Sequence, residues 1–236
     1  QFTGAELVAD KWNLSREDLD KFALESHQKA AHATESKYFD REILPVEGRN
    51  AEGINDLVMA DEGIRFDASL DKLAGLNPVT EGGVITAGNA SQITDGAAAV
   101  MVCNDVGLKK IQANPRAEIV SISVVGDDPV FMLTGPIPAS IQALKTANLT
   151  IDDMDLYEVN EAFAPVPLAW AEELKADRSK LNVNGGAMAL GHPLGATGAK
   201  LMTTLLHEME RRESTYGLQA ICEGGGTANA TIIKRI

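Results

Sequence analysis

The chain has 236 residues, 44% hydrophobic and 23% charged, close to the globular average, which excludes wholesale disorder and low complexity. Its formal charge is −13, from 21 basic and 34 acidic side chains. That balance argues against nucleic-acid or membrane partners, which need a broad basic surface or, for a spanning segment, an apolar run of roughly 18 residues, but it leaves room for a small anionic ligand held by local cations and backbone N–H groups.

Two cysteines, Cys103 and Cys222, are too few for a disulfide scaffold and point to a reducing, cytoplasmic setting. The chain opens on Gln1 and is dense in structure signals at once, with no signal-peptide pattern, so it is expected to be a piece of something longer. Glu6–Trp12 suggests a short helix. Ser15 with Asp18 makes a capping box for a second helix carrying Leu19, Phe22, Ala23, Ala30 and Ala33 at helical spacing. From Tyr38 to Leu76 the sequence turns charged and Gly-rich. An excursion of that length with Ile43, Val46, Leu57, Ile64, Phe66 and Leu73 is expected to cover something rather than idle in solvent.

Gly83–Ala87 reads as a short strand, and Val100-Met101-Val102 as a buried strand or helix start, with Cys103 a packing residue. Ala117–Val125 is rich in β-branched residues and predicts a strand. Pro138–Ala147 predicts a helix, Met154–Val159 a strand, and Ala162–Ala176 a helix interrupted near its start by Pro165 and Pro167. Leu181–Val183 predicts a further strand, Gly195–Arg212 a long helix, and Gly217–Cys222 and Ala230–Lys234 closing strands. Alternation of this kind predicts a layered α/β domain from Ala117 to the end.

Three segments that follow strands carry the chemistry. Asn160 precedes Glu161 at a strand end, where it could orient a substrate oxygen or cap the next helix. Gly185–Gly198 holds five glycines, a backbone cost that makes sense where main chain must approach a ligand or helix closely. His192 stands in it before Pro193, which restricts its backbone; a satisfied core histidine is the bland alternative. Cys222 ends an apolar strand ahead of Gly224-Gly225-Gly226, and glycines there can aim N–H groups into one space, as an oxyanion hole requires. A small buried core thiol is its bland alternative.

Together these segments resemble the thiolase family. The matching blocks are Asn160-Glu161-Ala162-Phe163, Gly185–Ala199 with His192-Pro193, Cys222 followed by Gly224-Gly225-Gly226, Thr86–Ser91 with Asp95-Gly96-Ala97-Ala98, and Asp61-Glu62-Gly63-Ile64-Arg65. The resemblance implies a layered α-β-α-β-α architecture with a mixed five-stranded sheet in the C-terminal domain. It implies a CoA-covering loop domain over 1–77, the last part of the N-terminal domain over 78–116, and the C-terminal domain over 117–236.

The reaction implied is thiolysis of a 3-ketoacyl-CoA, as in fatty acid metabolism, or the reverse Claisen condensation. His192 would activate the nucleophilic cysteine, Asn160 would hold an oxyanion-site water, Cys222 would be the acid/base, and the Gly224 N–H would serve a second oxyanion hole. Arg65, Ser91, Lys72 and Ala87 would contact CoA. No permanent cofactor and no metal are implied; CoA and acyl-CoA are substrates. Met188, Phe163 and Met132 could line the acyl pocket or belong simply to the core. No residue matches the family's nucleophilic cysteine, so a missing N-terminal segment is expected as a partner, together with a homodimer or homotetramer. A ketoacyl-synthase relative is disfavoured because Cys222 stands where such enzymes commonly use histidine. A non-catalytic CoA- or lipid-binding relative is the alternative from another class.

Overall fold

In the computed structural model, residues 1–49 and 53–236 are described. The N-terminal helices follow their signals. Helix α1 (Phe2–Lys11) is followed by α2 (Arg16–Glu35), whose N-cap Ser15 accepts from the Asp18 N–H while Asp18 accepts from Ser15. The 38–76 excursion is largely irregular. It adds an antiparallel hairpin, β1 (Val46–Arg49) with β2 (Asn55–Val58), and the short helix α3 (Leu70–Ala74). Ile64 and Leu73 from this stretch are buried, whereas Phe66 is exposed.

Residues 83–87 form no strand; Thr86 makes one isolated bridge to Pro78, and Ala90 one to Phe163. The 93–104 segment has no regular structure, and Val100, Met101 and Val102 are exposed. Cys103 is exposed as well, which corrects its reading as a packing residue. The apolar run carries the right composition for a core, but among the described residues no layer lies over it. Helix α4 (Asp105–Ile111) follows and is wholly solvated.

The sheet begins with β3 (Ala117–Gly126) and continues with β4 (Leu156–Val159), β5 (Tyr216–Cys222) and β6 (Thr227–Arg235). The order is β3-β6-β5-β4; β4 and β5 run parallel and the other pairs antiparallel. This mixed sheet has four strands rather than five. The fifth candidate, 181–183, makes only single bridges, Leu181 to Tyr157 and Val183 to Gly185. Its chain turns away at Asn182, whose φ is +44° and whose side chain bonds Val159 in the ladder's place.

Helices α5 (Pro136–Ala147) and α6 (Pro165–Leu174) cover one face. Pro165 does not interrupt α6 but starts it, because the first N–H groups of a helix have no intrahelical partner to lose. Trp170 is fully buried, donates to the Ser140 hydroxyl at 2.9 Å, and stands edge-on to Tyr157. Ser121 and Ser123 of β3 donate to the Ala143 and Ala139 carbonyls of α5.

The short helix α7 (Ala187–Leu190) packs on α2, and α8 (Thr197–Arg211) covers the opposite face of the sheet. Strand alternation turns Leu156 and Glu158 of β4, and Gly217, Gln219 and Ile221 of β5, toward α8. Gly217 admits the helix: a Cβ there would meet Met209 Sδ at 2.5 Å.

Glu158 and Gln219 are direct cross-strand partners in this layer. Glu158 Oε2 and Gln219 Oε1 are both buried with no hydrogen-bond partner among the described residues. Burial, with the Glu161 carboxylate second, pushes the Glu158 carboxyl well above its usual range. Lys200 and Glu208 on α8 and Glu42 from the excursion are the other charges it feels.

A carboxyl with a raised folded-state pKa adds stability that is complete below its unfolded value of 4.5 and is lost as pH climbs toward the folded value. Glu158→Gln mimics the neutral acid at every pH. Melting temperatures across pH 5–9 should therefore show wild type losing ground to Glu158→Gln as pH rises; two parallel curves would show that Glu158 ionises normally.

Candidate active site

Asn160 lies one residue beyond β4 and Cys222 ends the neighbouring β5, so parallel pairing delivers both to the same end of the sheet. The Asn160 N–H donates to Ala220 O at 3.0 Å, which carries the ladder one step past the strand. Asn160 is buried, and its Oδ1 has no partner among the described residues. Its amide nitrogen stands 3.3 Å from His192 Nε2.

The other ring nitrogen, His192 Nδ1, lies 2.6 Å from Thr197 Oγ1. The Thr197 hydroxyl in turn donates to Pro193 O at 3.0 Å. This sequence of donors sets the tautomer. Thr197 spends its proton on a carbonyl, so it accepts from Nδ1–H, and Nε2 is left with its lone pair to accept from Asn160. Burial alone holds the His192 pKa below the ordinary imidazole value, so the ring is neutral near pH 7. An oriented neutral imidazole whose Nε2 keeps its lone pair, held only by a long contact to a neutral amide, can act as a general base once a proton donor displaces that contact.

The Cys222 thiol is in the opposite state. Burial, assisted by the nearby Glu223 carboxylate, pushes it up to about 12. It rests as a protonated thiol and can give a proton to a stronger base. Beyond it, a 3-10 turn over Gly224–Gly226 is closed by Glu223 N–H to Thr227 O at 2.9 Å, with Gly225 and Gly226 at positive φ. The Glu223 carboxylate holds the turn from outside by accepting from Thr227 Oγ1 and Asn229 Nδ2. Gly224 is exposed, and nothing lies within 4 Å of the position a Cβ would take.

What holds these groups in place is Glu161, which is fully buried. It accepts from Ser26 Oγ at 2.7 Å, Asn182 Nδ2 at 2.9 Å and the Met188 N–H at 3.1 Å. Ser26 also receives the Gly186 N–H at 3.0 Å. A Cβ on Gly186 would meet the Glu161 carboxylate at 2.3 Å, so only glycine lets the loop approach. Gly185, at φ +79°, passes equally close to α2, where a Cβ would lie 2.5 Å from Ser26 O. These contacts explain two of the five glycines as close-approach positions rather than ligand cradles.

The expected CoA-contacting residues are spread more widely. The Ser91 N–H donates to Ala162 O at 3.0 Å, beside the Asn160 block. Arg65 is exposed, and its backbone N–H donates to His27 Nδ1 at 3.1 Å. Lys72 is exposed and ion-paired with Asp67, while Ala87 is exposed in a turn. Met188 and Phe163 are buried and Met132 is half-buried, all in the cluster that includes Cys222.

The model of the thiolase C-terminal domain matches residues 113–235, and that of the thiolase N-terminal domain matches 3–106. The chain belongs to the thiolase family. It is 55% identical over 236 residues to the steroid 3-ketoacyl-CoA thiolase FadA6 of Mycobacterium tuberculosis, covering 100% of this chain and 56% of that protein. Among solved structures, the Bacillus anthracis acetyl-CoA acetyltransferase matches at a TM-score of 0.95 and 40% identity, over 100% of this chain and 60% of that one. Human mitochondrial 3-ketoacyl-CoA thiolase in complex with CoA matches at 0.94 and 44%, over 99% and 58%.

The chain thus spans less than two thirds of these thiolases. Both thiolase domain models are nevertheless represented in it, so the expectation of a missing N-terminal segment as a partner is not supported.

Glu161→Ala should lower thermodynamic stability by about 3 kcal/mol, because it strands several buried donors at once. Chemical denaturation would read this directly. A loss under about 1 kcal/mol would mean the network is dispensable.

Proposed function

We propose that this chain provides the acid/base machinery of a thiolase-type acyltransferase, cleaving a 3-ketoacyl-CoA to acetyl-CoA plus an acyl-CoA, or running the reverse Claisen condensation. The observation that carries the reading is the geometry at one sheet end: His192 is held by Asn160 at Nε2 and by Thr197 at Nδ1, and Cys222 ends the strand paired with the one that leads to Asn160. Relatives carrying the names 3-ketoacyl-CoA thiolase and acetyl-CoA acetyltransferase support it.

In the cleavage direction, an acyl-accepting thiol that has given its proton to His192 bonds to the β-carbonyl carbon; the bond between the α- and β-carbons then breaks, its electron pair going to the acetyl-CoA carbanion while the acyl group stays on that thiol as a thioester. The Cys222 S–H gives the carbanion its proton, completing acetyl-CoA. The Cys222 thiolate then recovers a proton from the CoA thiol, the CoA thiolate takes the acyl group from the thioester, and the released thiolate regains its proton from His192. A carbanion beside a thioester is a stronger base than even an elevated thiolate, which is why a thiol raised to about 12 suits the donor.

His192 Nε2 takes the proton of the acyl-accepting thiol and afterwards presents N–H to the thioester oxygen, with Asn160 completing that site through its unpartnered Oδ1 and a bound water. The Gly224 N–H serves the oxygen of the departing acetyl group. Arg65, Ser91, Lys72 and Ala87 contribute to CoA binding, with residues 1–77 as its cover, 78–116 as the end of the N-terminal domain and 117–236 as the C-terminal domain. Lys72 must first release Asp67. The protein is expected in a reducing compartment, the cytoplasm, and as a homodimer or homotetramer.

Two outcomes are expected. The 236-residue chain alone should bind CoA but not cleave acetoacetyl-CoA, since Cys103 lies exposed in an irregular segment and Cys222 is the proton donor. Fused to the part of the mycobacterial relative that it does not span, it should cleave acetoacetyl-CoA, and Cys222→Ala in that fusion should cut kcat by about 10²–10⁴-fold with CoA affinity retained. A folded fusion that binds CoA and never turns over would favour the non-catalytic CoA-binding reading instead.

A further inference from the structure

We propose that Gln92 is a positioning residue that couples the Asp61–Arg65 segment to the His192 imidazole. The inference deepens the reading of His192 and of the CoA cover given above. The Gln92 amide nitrogen donates to Gly63 O at 2.8 Å and Met188 O at 2.7 Å, with Ala189 O at 3.4 Å. Its main-chain oxygen accepts the His192 N–H at 3.1 Å and the Thr94 hydroxyl at 3.0 Å. Its own N–H reaches Ala187 O at 3.5 Å. One half-buried residue therefore touches the cover segment, the first three residues of α7 and the backbone of the general base.

The chemistry at this position is narrow. Carbonyl oxygens converge on this side-chain end, the two near ones taking the two N–H bonds and the third lying at 3.4 Å, so the amide must turn its nitrogen and not its oxygen toward them. The space is equally narrow. A Cβ on Gly63 would meet Ala189 O at 2.7 Å and the Gln92 amide at 3.0 Å. Gly191, at φ +82°, leaves no room for a Cβ either, which would lie 2.2 Å from Thr94 Oγ1. The cover segment is tied on its other side by the Arg65 N–H to His27. Gly63 is thus held between α2 and the catalytic loop, and a shift of the cover is transmitted to the 187–192 turn through Gln92.

The ring is where such a shift registers. His192 owes its lowered basicity to burial alone, so loosening the turn lets water in and raises it. A ligand of the CoA class settling on the 61–65 segment would have the opposite effect, seating the turn and drying the ring.

The test is an NMR titration of the imidazole signals in the folded 236-residue chain, which has four histidines. Gln92→Met keeps the length of the side chain and removes its donors. It should move the His192 titration up toward the ordinary imidazole value while that of His207 stays in place. Added CoA should perturb the His192 signal in wild type and less so in the variant at saturation.

Gln92→Asn, whose amide is one methylene too short to span the gap, should shift His192 in the same direction and decides the matter if Gln92→Met does not fold. A His192 titration that superimposes on wild type in a folded variant would overturn the proposal, even where stability falls. A wild-type chain that ignores CoA would instead count against the proposed function, leaving the titration to decide on Gln92.

Discussion

The molecule depends most on one buried carboxylate. Glu161 belongs to the turn after β4, yet it receives hydrogen bonds from α2 through Ser26, from the turn at Asn182, and from the start of α7 at Met188. Two stretches far apart in sequence, α2 and the 182–188 segment, meet at one side chain. Burial raises the pKa of Glu161 while its hydrogen bonds oppose the rise. Such a group specifies geometry more than it adds net stability, since any arrangement that loses a donor leaves a polar atom stranded in the dry interior. Because Asn160 is the preceding residue and His192 follows α7, the arrangement that satisfies Glu161 is also the one that brings amide and imidazole together.

The site uses burial in two opposite ways. For the imidazole, exclusion of water disfavours the charged acid and preserves a base. For the thiol, the same exclusion disfavours the charged base and preserves an acid. Burial thus yields complementary partners, unaided at the imidazole and helped at the thiol by the negative charge of Glu223 in an already acidic chain. The Thr197 hydroxyl completes it by deciding which ring nitrogen carries the proton.

Much of this was legible in the sequence, for identifiable reasons. The capping box at Ser15 and the β-branched run at 117–125 declare themselves through local chemistry. The His192 and Cys222 blocks stand out because glycine clusters are costly and a reactive residue sits in each. What failed was tertiary in origin. Val100-Met101-Val102 has the composition of a core element, but nothing among the described residues lies over it, and Cys103 is exposed with it. Leu181–Val183 has strand character but is steered out of the sheet by Asn182. Thr197, Ser26 and Gln92 were invisible as site residues, since a lone threonine, serine or glutamine carries no pattern. Only the folded chain shows where their donors go.

The parallel pairing of β4 with β5 has a further consequence, one for how this protein can change over time. Asn160 and Cys222 stand at neighbouring strand ends, with Asn160 one step short of Cys222 in the register, so their backbone separation is set by the strand spacing of about 4.8 Å and the rise of one residue rather than by flexible side chains. Losing or gaining one residue in either strand would turn every side chain to the opposite face, sending Gln219 into the apolar layer and Cys222 under α8. These strands can therefore accept substitutions but not insertions or deletions. Change in the protein is confined to the surrounding loops and helix ends, while the spacing between Asn160 and Cys222 stays inherited and fixed.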